Sequence, residues 1–352
     1  MTTPPKIEIL PGRPQAASPL VSICIPNYNG ADYISECIAS VLAQERDYDI
    51  EIVVHDDAST DNSLNIIREQ FPEVHVLASK TNSGFCISNN RMVDYAHGEF
   101  ILLLNNDAIL RPGSLQAFLR EARSANVPGI VGLPQYSLVD GALVDRGYEF
   151  DLFMNPIPLF APGRQDVATV TGACLWIPRK IWDEVGGFPE WFESVAEDIY
   201  LCHAARLLGY RVIVLDEPGF DHWIGRNLGG GKVQDDRLVS TTRRRTLSER
   251  NKTWVIMMCY PLPVLLAILP VHFMLLAGEA CALLLTGISW RKVKSIYLSL
   301  PESLYDQLAA VADRRRRLRQ NRHLGNLAYL RRFRLLPWKL TMLLRHGIPK
   351  LS

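Results

Sequence analysis

Short apolar runs, each closed by a polar cluster, recur along the first 225 residues of the chain. Leu20-Val21-Ser22-Ile23-Cys24-Ile25-Pro26 is the first, a strand stopped at a proline that has no ladder donor. Asn27-Tyr28-Asn29-Gly30 then turns the chain, and residues 32–43 place Ile34, Ile38 and Val41 at helical spacing. Residues 50–54 form a second strand, ending in His55-Asp56-Asp57-Ala58-Ser59-Thr60-Asp61, with Asp61 suited to cap a helix over residues 62–70. A third strand over residues 74–77 precedes a helix over residues 88–96, ended by Gly98. Ile101-Leu102-Leu103-Leu104-Asn105-Asn106-Asp107 follows, four apolar residues and then three polar ones. That is the signature of a strand buried on both faces that ends at water. The later pattern predicts helices over residues 112–124, 179–185 and 197–208 and strands over residues 129–132, 170–177 and 211–215. Residues 134–168 read as irregular, and residues 225–231 as a glycine-rich loop.

Strands alternating with helices predict an α/β fold, a mostly parallel sheet flanked by helices. Parallel strands expose their carboxyl ends on one edge, where open sheets of this kind bind ligands. The acids that end the second strand and the Asn105-Asn106-Asp107 strand therefore converge. Asp107 at such a strand mouth is either a metal ligand, with the metal holding a phosphate, or a turn residue. No GxGxxG follows the first strand, which argues against a dinucleotide cofactor.

Charge changes this picture along the chain. The net charge is +1 over 352 residues, but residues 243–352 hold 20 Lys and Arg against 5 Asp and Glu, a net of +15. Residues 1–242 hold 18 against 32, a net of −14. Residues 254–289 carry Glu279 as their single charge and have basic flanks at Arg243-Arg244-Arg245 and at Arg291, Lys292 and Lys294. Basic flanks on both sides favour a re-entrant hairpin or in-plane helices over one crossing. Arg314 to Arg317 and Arg331, Arg332 and Arg334, set among Leu, Tyr, Phe and Trp338, read as interfacial helices on an anionic membrane surface. No nucleic-acid motif accompanies them. The seven cysteines form no CxxC pair and mostly sit in apolar runs, as buried thiols in a reducing compartment do. Three regions follow: a disordered lead at residues 1–19, a catalytic domain at residues 20–242, and a basic, apolar helical membrane-associated region at residues 243–352.

The order of motifs resembles family 2 glycosyltransferases of the GT-A fold, in the bacterial branch that includes rhamnosyltransferases. The residues that carry the resemblance are Val21 to Asn29, Asp56-Asp57-Ala58-Ser59-Thr60-Asp61, Asn82-Ser83-Gly84-Phe85, Asn90, Gly98-Glu99 and Leu104-Asn105-Asn106-Asp107. They continue with Asp140-Gly141, Gly147, Gly172-Ala173-Cys174, Gly186-Gly187-Phe188, Glu197-Asp198 and Gly209-Tyr210. The resemblance implies an inverting transfer of a sugar, with rhamnose a candidate, from a UDP- or dTDP-sugar. The acceptor would be a lipid-linked or polysaccharide glycan, and the place the cytoplasmic face of a bacterial inner membrane. It assigns Pro26, Asn27, Tyr28, Asn29 and Asp57 to the nucleotide, where an acceptor-only carboxylate suits the imide N–H of uracil or thymine. Asn90, Asn105, Asn106, Gly172, Trp191 and Glu197 are assigned to donor and substrate. Asp107 would hold Mg²⁺ or Mn²⁺ with His222 as second ligand, and Asp198 would be the general base. Arg226 or Lys232 in the glycine-rich loop would reach the diphosphate as part of a lid.

The chain departs from the family in two places. Tyr200 stands where a second Asp often follows the Glu-Asp pair, and Ala204 where an Arg does. No QxxRW follows the pair, which points to single additions rather than processive polymerisation. Two other readings stay open. One is a non-catalytic membrane-bound assembly subunit that retains the fold, and the other is a nucleotidyltransferase.

Overall fold

The computed structural model describes residues 7–13, 18–223, 230–234, 237–347 and 350–351. The chain divides into two compact units. The first comprises Met1–Gly147, Pro158–Ser194 and Tyr210–Trp223; the second comprises Tyr148–Ile157, Val195–Gly209 and Ile224–Ser352.

The first unit is built on an eight-stranded sheet. Its order is Ile7–Leu10, His75–Ser79, Ile50–Asp56, Val21–Asn27, Phe100–Leu104, Cys174–Pro178, Gly129–Gly132, Arg211–Val214. The four strands from His75–Ser79 to Phe100–Leu104 are parallel. Every residue of Ile50–Asp56 and of Phe100–Leu104 is buried, which is why Ile52-Val53-Val54 and Phe100–Leu104 are apolar without alternation; Glu51 is a buried exception that accepts from the Ser22 hydroxyl. Helices cover the sheet. Ile34–Leu42 buries Ile34, Cys37, Ile38 and Val41, at the predicted spacing. Phe118 and Phe100 stack on Trp176 with centroids 5.3 and 5.1 Å apart, joining a flanking helix to the sheet.

Three differences from the sequence pattern have physical causes. Part of the lead is ordered: Ile7–Leu10, with two β-branched isoleucines, adds an antiparallel edge strand on His75–Ser79. The sheet is mixed, because Cys174–Pro178 runs antiparallel to both of its neighbours. The stretch expected to be irregular contains Gln135–Ser137 and Leu143–Asp145, which join Ala108–Leu110 and Phe220–His222 in a second, four-stranded sheet. Strands of three residues are too short to show a period of two in sequence.

The second unit is mainly helical, with Glu197–Leu207, Thr242–Cys259, Leu262–Leu285, Leu300–Gln320 and Trp338–His346. Tyr148–Asp151 pairs in parallel with Phe333–Arg334. His203 sits in an aromatic cluster with Phe150, Tyr329 and Phe333, and its Nδ1 lies 2.9 Å from the Tyr329 hydroxyl. Residues 254–289 hold the end of Thr242–Cys259 and then Leu262–Leu285, a continuous helix of 24 residues that tolerates Pro270 in its interior. Among the described residues it is the one helix long and apolar enough to cross a membrane. Gly230–Gln234, expected as part of the loop, is a strand paired with Arg237–Ser240. Arg226 lies outside the described residues, as does the side chain of Lys232.

Candidate active site

Asn27 is the hub of the first unit's polar edge. Cys24 lies opposite Leu103 in the ladder, so Asn27, three residues on, comes level with Asn106. Asn106 Nδ2 donates to Asn27 Oδ1 at 2.9 Å. Asn27 Nδ2 faces Asp56 Oδ1 and Ser63 Oγ, both at 2.9 Å. Asn27 and Asn106 are both buried and hold the strand ends in register rather than facing solvent. Gly30 is required by this approach: a Cβ there would stand 2.3 Å from both Asn27 Oδ1 and Asn106 Nδ2. Asn29 adopts φ 52° and accepts from the Thr60 amide at 2.8 Å. Tyr28, between them, is 49% exposed, and Pro26 is half-buried at the end of its strand.

Asp57 is buried and accepts three hydrogen bonds. The Ser83 amide and hydroxyl reach Oδ1 at 2.7 Å each, and the Gly84 amide reaches Oδ2 at 2.8 Å. A carboxylate has about four lone-pair sites, so a fourth donor such as a base imide N–H still fits. Arg91 braces this corner, donating to Ser83 Oγ at 3.1 Å and Ser79 Oγ at 3.0 Å. Asn90 is engaged differently from its expected part in the donor pocket. Its Oδ1 accepts from the Phe188 amide and its Nδ2 donates to the Phe188 carbonyl, each at 3.0 Å. Both ends of the amide thus stitch Phe85–Tyr95 to the Gly186-Gly187-Phe188 turn.

Asp107 and His222, 115 residues apart, come together through the second sheet, in which His222 pairs with Ala108. His222 Nε2 lies 3.1 Å from Asp107 Oδ1, and Gln135 Nε2 lies 3.0 Å from His222 Nδ1. Gln135 donating to Nδ1 and Nε2–H donating to the carboxylate is the assignment that satisfies all three groups. Arg111 holds the same strand with a two-point bond to Asp221, at 2.7 and 3.1 Å, and lies 3.6 Å over the Tyr136 ring. One carboxylate and one imidazole on facing strands fit a divalent cation that takes its other ligands from diphosphate and water, provided His222 carries its proton on Nδ1 and the Gln135 amide turns so that its oxygen accepts it, which frees Nε2 for the cation. Among the described residues no group of three His, Cys, Asp or Glu side chains suits a cation by itself. Asn105 is half-buried with its amide donating to the Ala173 carbonyl at 2.9 Å, and its Oδ1 has no partner. Gly172 is buried in the turn beside it, and Trp191 packs edge-on against Phe192.

Glu197 and Asp198 open the Glu197–Leu207 helix of the second unit. Every residue of that helix is buried except Asp198. Asp198 Oδ1 accepts from the Ile199 amide at 2.7 Å. Burial, together with the Asp198 charge, pushes the Glu197 carboxyl up to about 8. The backbone before the pair is strained: Val195 and Ala196 take φ 72° and 68°, a region costly for a β-branched residue. Asn251 Nδ2 fixes the Val195 carbonyl at 2.7 Å. Tyr200, in place of the family's second Asp, is fully buried and accepts from Arg314 at 3.2 Å.

Sequence pattern passed over Gln135 and Arg91 and gave Ser83 a place in a motif but no part in the site, because each acts on a partner that the fold alone supplies. Gln135 begins a three-residue strand, and Ser83 meets Asp57 across 26 residues.

The family model described as Glycosyl transferase family 2 matches residues 22–186. Chondroitin synthase of Pasteurella multocida is 31% identical over 188 residues, 52% of this chain and 18% of that protein. The chain thus spans less than a fifth of that curated relative. The crystal structure of GalNAc-T7 with UDP, GalNAc and Mn²⁺ matches with a TM-score of 0.63 at 12% identity, over 96% of this chain and 59% of that one. Staphylococcus aureus TarS 1-349 in complex with UDP-GlcNAc matches at 0.51 and 18% identity, over 88% and 91%. These two likenesses are of fold. Over residues 22–186, just under half of its length, the chain is similar to glycosyl transferase family 2, and it has the GT-A fold.

Proposed function

We propose that the protein is an inverting, non-processive glycosyltransferase of cell-surface glycan synthesis. It moves a sugar, with rhamnose a candidate, from a UDP- or dTDP-sugar to a lipid-linked glycan at the cytoplasmic face of the membrane. The observation that carries this reading is the Asp107–His222 pair, 3.1 Å apart at the carboxyl edge of the parallel strands. In the reading, Asp57 accepts the imide N–H of the base with its remaining lone pair. Asp107 and His222 hold Mg²⁺ or Mn²⁺, and the chemistry such a cation supplies is neutralisation of the departing diphosphate. Asp198, the acid its helix leaves accessible, takes the proton of the attacking hydroxyl as general base. Glu197 orients a sugar hydroxyl. The non-catalytic alternative is disfavoured because the three acids the reaction needs, Asp57, Asp107 and Asp198, are all present.

A screen of UDP-, GDP- and dTDP-sugars for donor hydrolysis tests the reading. Release of a nucleoside diphosphate from a UDP- or dTDP-sugar is expected. Release of inorganic diphosphate from a nucleoside triphosphate would instead identify a nucleotidyltransferase. Asp198→Asn is expected to lower transfer by at least about a hundredfold while leaving nucleotide affinity within about twofold, the scale of a lost general base. Unchanged turnover would remove Asp198 from that role.

A further inference from the structure

Two helices of the second unit carry apolar surface that the unit leaves uncovered. Leu262–Leu285 buries His272, Leu276 and Leu283 along one stripe. Leu266, Met274 and Leu285 on its other faces are 67%, 65% and 89% exposed. Trp338–His346 buries no residue, and Leu343 and Leu344 stand exposed on it.

One ion cluster ties the two helices together. Lys339 Nζ lies 2.9 Å from Glu279 Oε2 and 2.8 Å from Glu249 Oε1. Arg245 bonds Glu279 as well and lies 3.2 Å from Glu249. Lys252 Nζ lies 3.1 Å from Glu249 Oε2. The 24 residues of the apolar helix reach roughly 36 Å, long enough to cross a bilayer. Crossing would carry Glu279 into hydrocarbon. It would then either draw Arg245 and Lys339 in with it or strip the carboxylate of both, and each outcome is costly. Lying in the interface costs neither, because the cluster stays on the protein side while the leucines enter the acyl boundary. The charge around the apolar surface selects the lipid: Arg291, Arg331 and Arg345 are exposed, and residues 243–352 carry a net +15.

We propose that Leu262–Leu285 and Trp338–His346 form a two-helix platform that lies in one leaflet of an anionic membrane and does not cross it, with Glu279 as the clamp between them. This rests on the membrane attachment proposed above, and the tests separate the two. Six of the seven cysteines are buried and Cys281 is exposed, so a Cys281→Ser background leaves a clean surface for labelling.

Flotation with vesicles of phosphatidylethanolamine and phosphatidylglycerol tests attachment. Binding is expected there and not with phosphatidylcholine alone; a chain that stays soluble with both overturns attachment and platform together. Bimane on Met274→Cys, at the middle of the helix, tests the mode. Stronger quenching by spin labels near the headgroup than by labels at the acyl terminus is expected, and the reverse order overturns the platform while leaving attachment intact. Leu262→Cys and Ser289→Cys, at opposite ends of the helix, are both expected to react with an impermeant maleimide added outside the vesicles. Reaction of one alone means crossing. A dimer in solution that shields Met274→Cys without vesicles would assign the face to a second copy and overturn the proposal.

Discussion

Glu197 shows how much of the site is decided residue by residue. It is 7% exposed, its Oε2 has no hydrogen-bond partner, and Asp198 stands next to it. Burial first and the neighbouring charge second raise its carboxyl from an ordinary 4.5 to about 8, against a smaller opposing pull from Arg244. A raised folded pKa means that the folded state binds the proton more tightly than the unfolded chain. The stability Glu197 contributes is therefore full below about pH 4.5 and is lost as pH rises toward 8. Glu197→Gln keeps the shape and stays neutral at every pH. Denaturant titrations are expected to show the two proteins parallel near pH 4.5 and the variant increasingly more stable toward pH 8; a pH-independent gap would contradict the assignment. Gly30 makes the opposite point, that a missing side chain also has a role. Gly30→Ala would drive a Cβ into the Asn27–Asn106 hydrogen bond. It is expected to cost about 1–3 kcal/mol, the usual range for overpacking, read as a lower denaturation midpoint. The acids of the candidate site stood out in sequence because each lies at the end of a strand or the start of a helix. Gln135 did not, because nothing local marks a residue whose partner is supplied by a distant strand.

At the scale of elements, the helix Phe85–Tyr95 shows why boundaries are harder to read than cores. Its own N-cap residue, Gly84, offers no side-chain cap, and the sequence pattern places the start three residues late, at Ser88. The cap comes from another strand: Asp57 accepts the Ser83 and Gly84 amides that lead into the helix. The central parallel strand Phe100–Leu104 was legible because burial on both faces writes an unbroken apolar run. The antiparallel Cys174–Pro178 reads in sequence like its parallel neighbours, since direction leaves no mark on composition. Asp57→Ala leaves two amides and a hydroxyl without their acceptor, each of which costs about 1–3 kcal/mol when buried and unpaired. Hydrogen exchange is expected to speed up over residues 83–88 before the rest of the helix changes, together with a loss of nucleotide affinity. Exchange unchanged there would mean that the helix start is held by something else.

At the scale of the whole molecule, the governing fact is the division of charge, −14 over residues 1–242 and +15 over residues 243–352. Sequence alone gave this asymmetry and the apolar stretch that accompanies it. It did not give the continuity of Leu262–Leu285 through Pro270, because a proline inside an apolar run marks a break more often than a tolerated residue. Attraction between a basic region and anionic lipid is long-range and screened, whereas insertion of leucines is neither. The two contributions therefore separate with salt: binding to phosphatidylglycerol vesicles is expected to weaken as ionic strength rises and to level off rather than vanish. Arg331 and Arg345 are exposed and belong to no assigned catalytic group, so replacing both tests the electrostatic part alone. At about 1 kcal/mol for each cation near the surface, Arg331→Ala combined with Arg345→Ala is expected to weaken vesicle binding roughly thirtyfold at low salt. The same variant is expected to hydrolyse a soluble nucleotide-sugar at the rate of the parent chain. Equal losses in both assays would mean that the substitutions disturb the fold. Unchanged vesicle binding would leave the apolar face as the whole attachment.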